Sequence, residues 1–253
     1  MRTILSRLLH TTSRGVATHV ASLLAGFALL LTAGQSTAVN VDNFEEGSFS
    51  FSGPPGGVAT QSGLSTANVL AGERITNLDT IFVADPGPAT AELVLTGGDD
   101  AVAFSAESGL GTLGTRLEFV YLFPSPIDIS MMGSALSIDL KSLVDSANAF
   151  SILVGVETFQ AEATVEVSGL TPGTITVPFN TLVASVGSTP ADLTQVTGIY
   201  FQLRTTNGAI GSVSATVDDF QIVSASSVPS LSPIAIALLG TLMGLASYWR
   251  FRA

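Results

Sequence analysis

The chain has 253 residues with 20 acidic and nine basic side chains, a net charge of −11. Residues 39–227 hold every acidic group against only four basic ones, Arg74, Arg116, Lys141 and Arg204, so that stretch has no cationic surface for phosphates and nucleic-acid binding is excluded. Cysteine is absent and both histidines, His10 and His19, precede residue 39, which removes disulfides, Cys-ligated zinc and Ser-His or Cys-His catalysis from the body.

The N-terminal segment carries Arg2, Arg7 and Arg14 ahead of the largely apolar run Val20–Ala33, and Ser36-Thr37-Ala38 then supplies the small residues of a signal-peptidase site. The apolar run is short of the about 20 residues needed to span a bilayer. These features predict a secretory signal peptide over residues 1–38, removed after Ala38. With no twin-arginine pair, the general secretion route is expected.

Residues 39–227 are enough for one domain with a sizeable core. Their apolar residues recur with period two. Leu136, Ile138 and Leu140 alternate with Ser137, Asp139 and Lys141, and Phe150, Ile152, Val154 and Val156 follow the same rule. Ile175, Val177 and Phe179 repeat it, as do Ile199, Phe201 and Leu203. Such alternation predicts half-buried strands. Residues 47–66 are rich in Gly and Ser and predict a strand at Ser48–Ser52 followed by a mobile loop. Leu170-Thr171-Pro172-Gly173 predicts a hairpin turn between Val165–Val167 and the Ile175 strand. No convincing helical periodicity and no fixed-period repeat occurs. About ten short strands separated by Gly, Ser and Pro predict an all-β fold, a single β-sandwich of jelly-roll type.

Three pieces of this body, Val41-Asp42-Asn43-Phe44-Glu45-Glu46-Gly47, Leu193-Thr194-Gln195-Val196-Thr197-Gly198-Ile199 and Val217-Asp218-Asp219-Phe220, resemble the galactose-binding-like jelly rolls found among carbohydrate-binding modules. The resemblance implies first and last strands that lie close together. It also implies a structural calcium held there by carboxylates from each strand, here Glu45, Glu46, Asp218 and Asp219. The abundance of hard oxygen ligands agrees with calcium as the expected cofactor.

At the C-terminus, Ser224–Ser232 reads as a flexible tether, Pro233–Trp249 is free of charge, and Arg250 and Arg252 follow. Residues 233–249 would make a helix of about 25 Å, a marginal membrane span with the two arginines as its cytoplasmic stop-transfer signal. Gly240 and Gly244 form the spacing that lets membrane helices approach closely. The order of Val228-Pro229-Ser230-Leu231-Ser232, apolar helix and terminal arginines resembles the PEP-CTERM class of exosortase sorting signals, in the variant reading Ile-Pro-Thr-Leu-Ser. The resemblance covers residues 228–253 and implies an exosortase-like processing enzyme as partner, transient anchoring in the inner membrane, and delivery to the cell surface or extracellular matrix.

Catalytic readings are thin. Gly109-Leu110-Gly111-Thr112-Leu113-Gly114 fits the dinucleotide fingerprint, but Thr115–Phe123 reads as a strand where that motif needs a helix. Glu157, Glu162 and Glu166 are carboxylates of the kind glycoside hydrolysis uses, although sequence spacing does not set their separation. Gly97-Gly98-Asp99-Asp100 reads as a turn. For sugars, Tyr121 and Tyr200 are the body's only Tyr residues, its Phe residues mostly follow core parity, and Arg74, Arg116 and Arg204 are candidate hydroxyl partners. The expected function is therefore that of an exported, non-catalytic surface or matrix protein, with a carbohydrate-binding module for extracellular polysaccharide as the alternative.

Overall fold

The computed structural model describes residues 38–53, 55–81, 87–96, 100–108, 113–184, 190–206 and 208–224. The leader, the motif Val228–Ser232, the segment 233–249, Arg250 and Arg252 lie outside the described residues. Among the described residues, no helix is long and apolar enough to cross a membrane.

Two antiparallel sheets make the body. The first takes β1 (Val39–Asp42), β2 (Phe49–Gly53), β5 (Ala89–Leu93), β6 (Val102–Glu107), β8 (Ala135–Asp145), β11 (Gly173–Pro178) and β14 (Ser212–Val223), in the order β11-β8-β14-β6-β5-β2 with β1 also on β14. The second takes β3 (Gly57–Ser62), β4 (Glu73–Thr80), β7 (Thr115–Ile127), β9 (Phe150–Thr158), β10 (Glu162–Ser168), β12 (Val183–Ala184) and β13 (Val196–Thr205), in the order β12-β10-β9-β13-β7-β4-β3. Short 3-10 turns at Ile129–Met131 and Phe179–Thr181 join strands. The chain passes back and forth between the layers, the winding of a jelly roll.

Alternation decides which side of each strand is buried. Leu136, Ile138 and Leu140 of the first sheet face Ile199, Phe201 and Leu203 of the second, all essentially without exposure. Between them an aromatic cluster crosses the sandwich: Phe119 and Phe201 stack at 4.6 Å, Phe220 approaches Phe201 at 4.9 Å, and Phe44 meets Phe119 edge-on at 5.5 Å. Offset and edge contacts of this kind add to the burial of the rings themselves.

Two expectations are corrected. Leu170–Gly173 is not a hairpin turn, because β10 pairs with β9 and β12 whereas β11 pairs with β8 in the other sheet. Val165 and Val177 both point into the core, from opposite layers, and period two does not record which layer a strand joins. Residues 57–62 are strand β3 rather than loop. Its core-side positions hold Gly57, Ala59 and Gln61, so no large apolar residue marks the alternation.

Inside the core sits an ion pair whose two side chains are both fully buried. Arg74 shares its parity on β4 with Thr76 and Leu78 and is fully buried, as is Asp42 at the end of β1. Arg74 Nη1 lies 2.7 Å from Asp42 Oδ2, which also accepts the Tyr121 hydroxyl at 2.9 Å, while Asp42 Oδ1 accepts the Phe44 N–H at 2.8 Å. The other guanidinium donors reach Gln61 Oε1 and the carbonyls of Glu46 and Gly47. Burial holds the Asp42 carboxyl above its usual range against the opposing pull of Arg74, and raises the Tyr121 hydroxyl well above its ordinary value.

Leaving one member of such a pair alone in the interior costs about 3–5 kcal/mol. Asp42→Asn and Arg74→Met are each expected to lower unfolding stability by an amount in that range, measured by denaturant titration. Arg74→Lys does not restore it, because an ammonium lacks the fork that serves Asp42, Gln61 and the carbonyls at once.

Candidate functional site

The second sheet turns a broad polar face outward, assembled by register. One row across β9, β13, β7 and β4 runs Gly155, Tyr200, Val120, Ile75; the next runs Leu153, Gln202, Glu118, Asn77; a third runs Ser151, Arg204, Arg116, Asp79. On β10, Glu162 stands opposite Glu157 and Glu166 opposite Leu153. Side chains on this face hold one another in place. Gln202 Nε2 donates to Glu118 Oε1, Ser151 Oγ donates to Glu166 Oε1 at 2.6 Å, and Arg204 Nη1 lies 3.5 Å from Glu166 Oε2. Arg116 Nη2 lies 3.1 Å from Asp79 Oδ2.

Tyr200 is the centre of this array. A Cβ on Gly155 would come within 2.3 Å of its ring, so the ring lies across β9 only because residue 155 has no side chain. Beyond Gly155 the hydroxyl donates to Glu162 Oε1. Burial first and Glu162 second raise the Tyr200 pKa, which keeps the hydroxyl a donor. With 4% exposure the ring forms the floor of the face rather than an open platform. Glu157 is pushed above the usual carboxylate range, by burial first and then by Glu162 and Glu118.

The outer face of the first sheet mixes short hydroxyls with longer charged side chains. Thr90 and Ser105 are bonded across β5 and β6 at 2.7 Å and Ser142 and Thr216 across β8 and β14 at 3.0 Å, and Glu92, Glu107, Asp139 and Lys141 stand on the same side of their strands.

Of the four residues expected as calcium ligands, Glu45, Glu46 and Asp218 have protein partners. The first and last strands pair as expected, but that pairing ends with Asp42 opposite Phe220, before Glu45 and Glu46. Glu46 accepts from Ser65 N at 2.7 Å and Asn68 Nδ2 at 2.8 Å, and Glu45 accepts from Asp100 N at 3.3 Å. Asp218 sits with Asp219 in a bulge of β14, where Lys141 Nζ lies 3.2 Å from Asp218 and 3.1 Å from Asp139. Among the described residues, no three acidic or imidazole side chains form a metal-holding group.

Of the candidate sugar contacts, Tyr200, Arg116 and Arg204 belong to the outer face, whereas Tyr121 and Arg74 are buried by core parity. Glu162 and Glu166 are exposed on the outer side of β10 as alternation implied. Asp100 accepts from Thr96 N and Oγ1, and the strand expected after Gly114 is β7, so the dinucleotide reading stays rejected. Sequence reasoning missed Asp42 and Phe159. Phe159, at the β9–β10 turn, is 80% exposed. The placement of Phe between Thr158 and Gln160, at a break in the alternation, was the available signal.

No protein-family sequence model matches the chain, and no curated protein matches it. Among solved structures it is similar to a family 11 carbohydrate-binding module from Clostridium thermocellum in complex with a beta-1,3-1,4-mixed-linked tetrasaccharide. The identity there is 17% and the TM-score 0.42, with 76% of this chain and 98% of that one covered. A family 30 carbohydrate-binding module aligns at 15% identity and TM-score 0.39, over 81% of this chain and 97% of that one. The xyloglucanase domain of a type three effector from Sinorhizobium fredii, in complex with cellobiose, aligns at 9% identity and TM-score 0.41, over 68% and 96%.

Burial raises the Asp218 pKa to about 6 despite the hydrogen bond from Lys141. A carboxyl that holds its proton more tightly when folded adds stability that is complete below its unfolded value of 3.8 and is lost as pH rises through about 6. Asp218→Asn is therefore expected to flatten the fall in unfolding free energy between pH 4 and pH 7, measured by denaturant titration across that range.

Proposed function

We propose that this chain is an exported, non-catalytic polysaccharide-binding protein of the cell surface or extracellular matrix, with the outer face of the second sheet as its binding surface. The observation that carries the reading is the preorganised grid around Tyr200. Glu118, Gln202, Glu162, Glu166 and Arg204 are each held by a neighbour, so a hydroxyl-rich polymer laid over them meets donors and acceptors already in position. Leu122, 46% exposed, and Val120 border the grid with the apolar area that sugar faces need.

Affinity electrophoresis of the full chain through gels holding neutral polysaccharides tests this. Retardation by at least one is expected, and Glu118→Ala or Arg204→Ala weakens it about tenfold, the worth of one hydrogen bond to a charged group. No retardation by any polysaccharide removes the reading. The raised Glu157 beside Glu162 gives a hydrolase reading its one specific support, since an acid of raised pKa near a second carboxylate is the glycosidase arrangement. In the binding reading no reducing ends accumulate when the same polysaccharides are incubated with the protein.

Export and sorting rest on the two ends of the sequence. The proposal is that residues 1–38 are removed on secretion and that an exosortase-like enzyme processes the chain near Val228–Ser232, releasing the sandwich from its transient inner-membrane anchor. Intact mass of the surface and medium species is expected to lack both ends. A species that retains residues 234–253 shows an ordinary anchor instead.

A further inference from the structure

A second feature lies at the end of the same strands. The β9–β10 connection is a four-residue turn, Thr158 to Ala161, in which the Thr158 hydroxyl accepts the N–H of Ala161 at 3.0 Å and of Gln160 at 3.4 Å. The Thr158 N–H in turn donates to the Ala161 carbonyl at 2.8 Å. The turn is closed by its own polar groups and calls for small or polar residues at its tip. It carries a phenylalanine there, held 80% exposed with no place in the core.

Beside that ring runs the segment from Pro190 to Gln195, brought alongside because Val196 pairs with Thr158. Asp192 accepts from Thr194 N at 3.0 Å and Thr194 Oγ1 at 2.7 Å, bonds that fix its carboxylate and lower its pKa, and its carbonyl accepts the Gln195 N–H at 2.9 Å. Phe159, Gln160, Pro190, Asp192 and Gln195 border a cleft of about 210 Å³. The cleft thus offers an aromatic face, a pyrrolidine ring, two side-chain amides that both donate and accept, and one acceptor-only carboxylate. No cation lines it.

We infer that this cleft binds one neutral pyranose ring, the end or a branch of a polysaccharide chain, stacked on Phe159 and hydrogen-bonded by Gln160, Asp192 and Gln195. The volume lies below the roughly 300–1,000 Å³ of sites for larger ligands, which suits a single ring. Its one carboxylate and absence of cations select against uronic or sulfated sugars. A lone carboxylate is also far short of the six to eight oxygen ligands that calcium takes. The inference rests on the polysaccharide-binding reading and extends it. Glu157 precedes the turn and Glu162 follows it, so one hairpin carries both the edge of the sheet face and the cleft, and a glycan leaving one enters the other.

The test titrates the full chain and its Phe159→Ala and Phe159→Trp variants with cellotetraose, xylotetraose and mannotetraose, with trigalacturonate as the anionic control. Phe159→Ala is expected to weaken binding of at least one neutral tetrasaccharide about tenfold and Phe159→Trp to keep or strengthen it, as for loss or enlargement of one stacked ring. The unfolding midpoint stays unchanged in both variants, since the ring buries almost nothing. Trigalacturonate is not bound. Binding that Glu118→Ala weakens and Phe159→Ala leaves intact overturns the cleft and spares the sheet face. Equal binding of trigalacturonate overturns the cleft as a neutral-sugar site; failure of every tetrasaccharide to bind while a polysaccharide still retards the chain overturns the cleft and spares the sheet face, and absence of both overturns both readings.

Discussion

A guanidinium without solvent access must be neutralised and hydrogen-bonded from within the protein, and Arg74 imposes that requirement on much of the fold. Its partners come from β1, from the loop between β1 and β2, from β3 and, through the shared oxygen of Asp42, from β7. Most of these segments are short or irregular and would gain little from ladder bonds alone. The ion pair makes their positions mutually dependent. Phe44, held at φ 55 by the bond from its N–H to Asp42, can then insert into the aromatic cluster against Phe119 and Phe201. The guanidinium carbon lies 5.5 Å from the Phe44 ring, so the pair and the cluster share their apolar wall.

Fixing β1 and β4 from the inside leaves the outside of the second sheet free to be polar. Its strands spend their core-facing residues on the cluster and their outer residues on one another, through Gln202 and Glu118, Ser151 and Glu166, Tyr200 and Glu162. The first sheet spends many of its outer positions on short hydroxyls, with Glu92, Glu107, Asp139 and Lys141 standing among them. A surface that must meet a polymer chain needs donors and acceptors that stand above the pleat, and the second sheet sets its own in rows that run across four strands.

Much of the sandwich was legible because period two reports directly on which residues are inside. The strands at Leu136–Leu140, Phe150–Val156 and Ile199–Leu203 fell where alternation put them, and the pairing of first and last strands followed from the resemblance. Layer assignment was not legible at Leu170–Gly173, since a turn between two strands of the same parity serves a hairpin or a crossover equally. Arg74 was misread for a related reason. A single arginine on a strand looks like a surface charge unless its partner is recognised, and Asp42 lies 32 positions away with no local mark of the contact. The calcium quartet rested on strand adjacency alone, and the ladder between the first and last strands ends with Asp42 opposite Phe220, short of Glu45 and Glu46.

The charge surplus, which at first excluded partners, also orders the remaining ones. On the outer face of the second sheet Arg116 and Arg204 are each committed to a carboxylate, Asp79 and Glu166, and Glu157 and Glu162 add two more carboxylates opposite each other. The field over the face is therefore negative, and an anionic polymer would approach against it. A neutral polysaccharide pays no such penalty and can use both carboxylates as hydroxyl acceptors. Binding of this kind is weak per ring, because each hydroxyl exchanges one hydrogen-bonded environment for another. Strength then comes from several rings engaged along one chain, where each contact raises the effective concentration of the next. A long polar face that runs into a small cleft at its end suits that mode of attachment, and a matrix polymer is the form of sugar that supplies many rings on one strand.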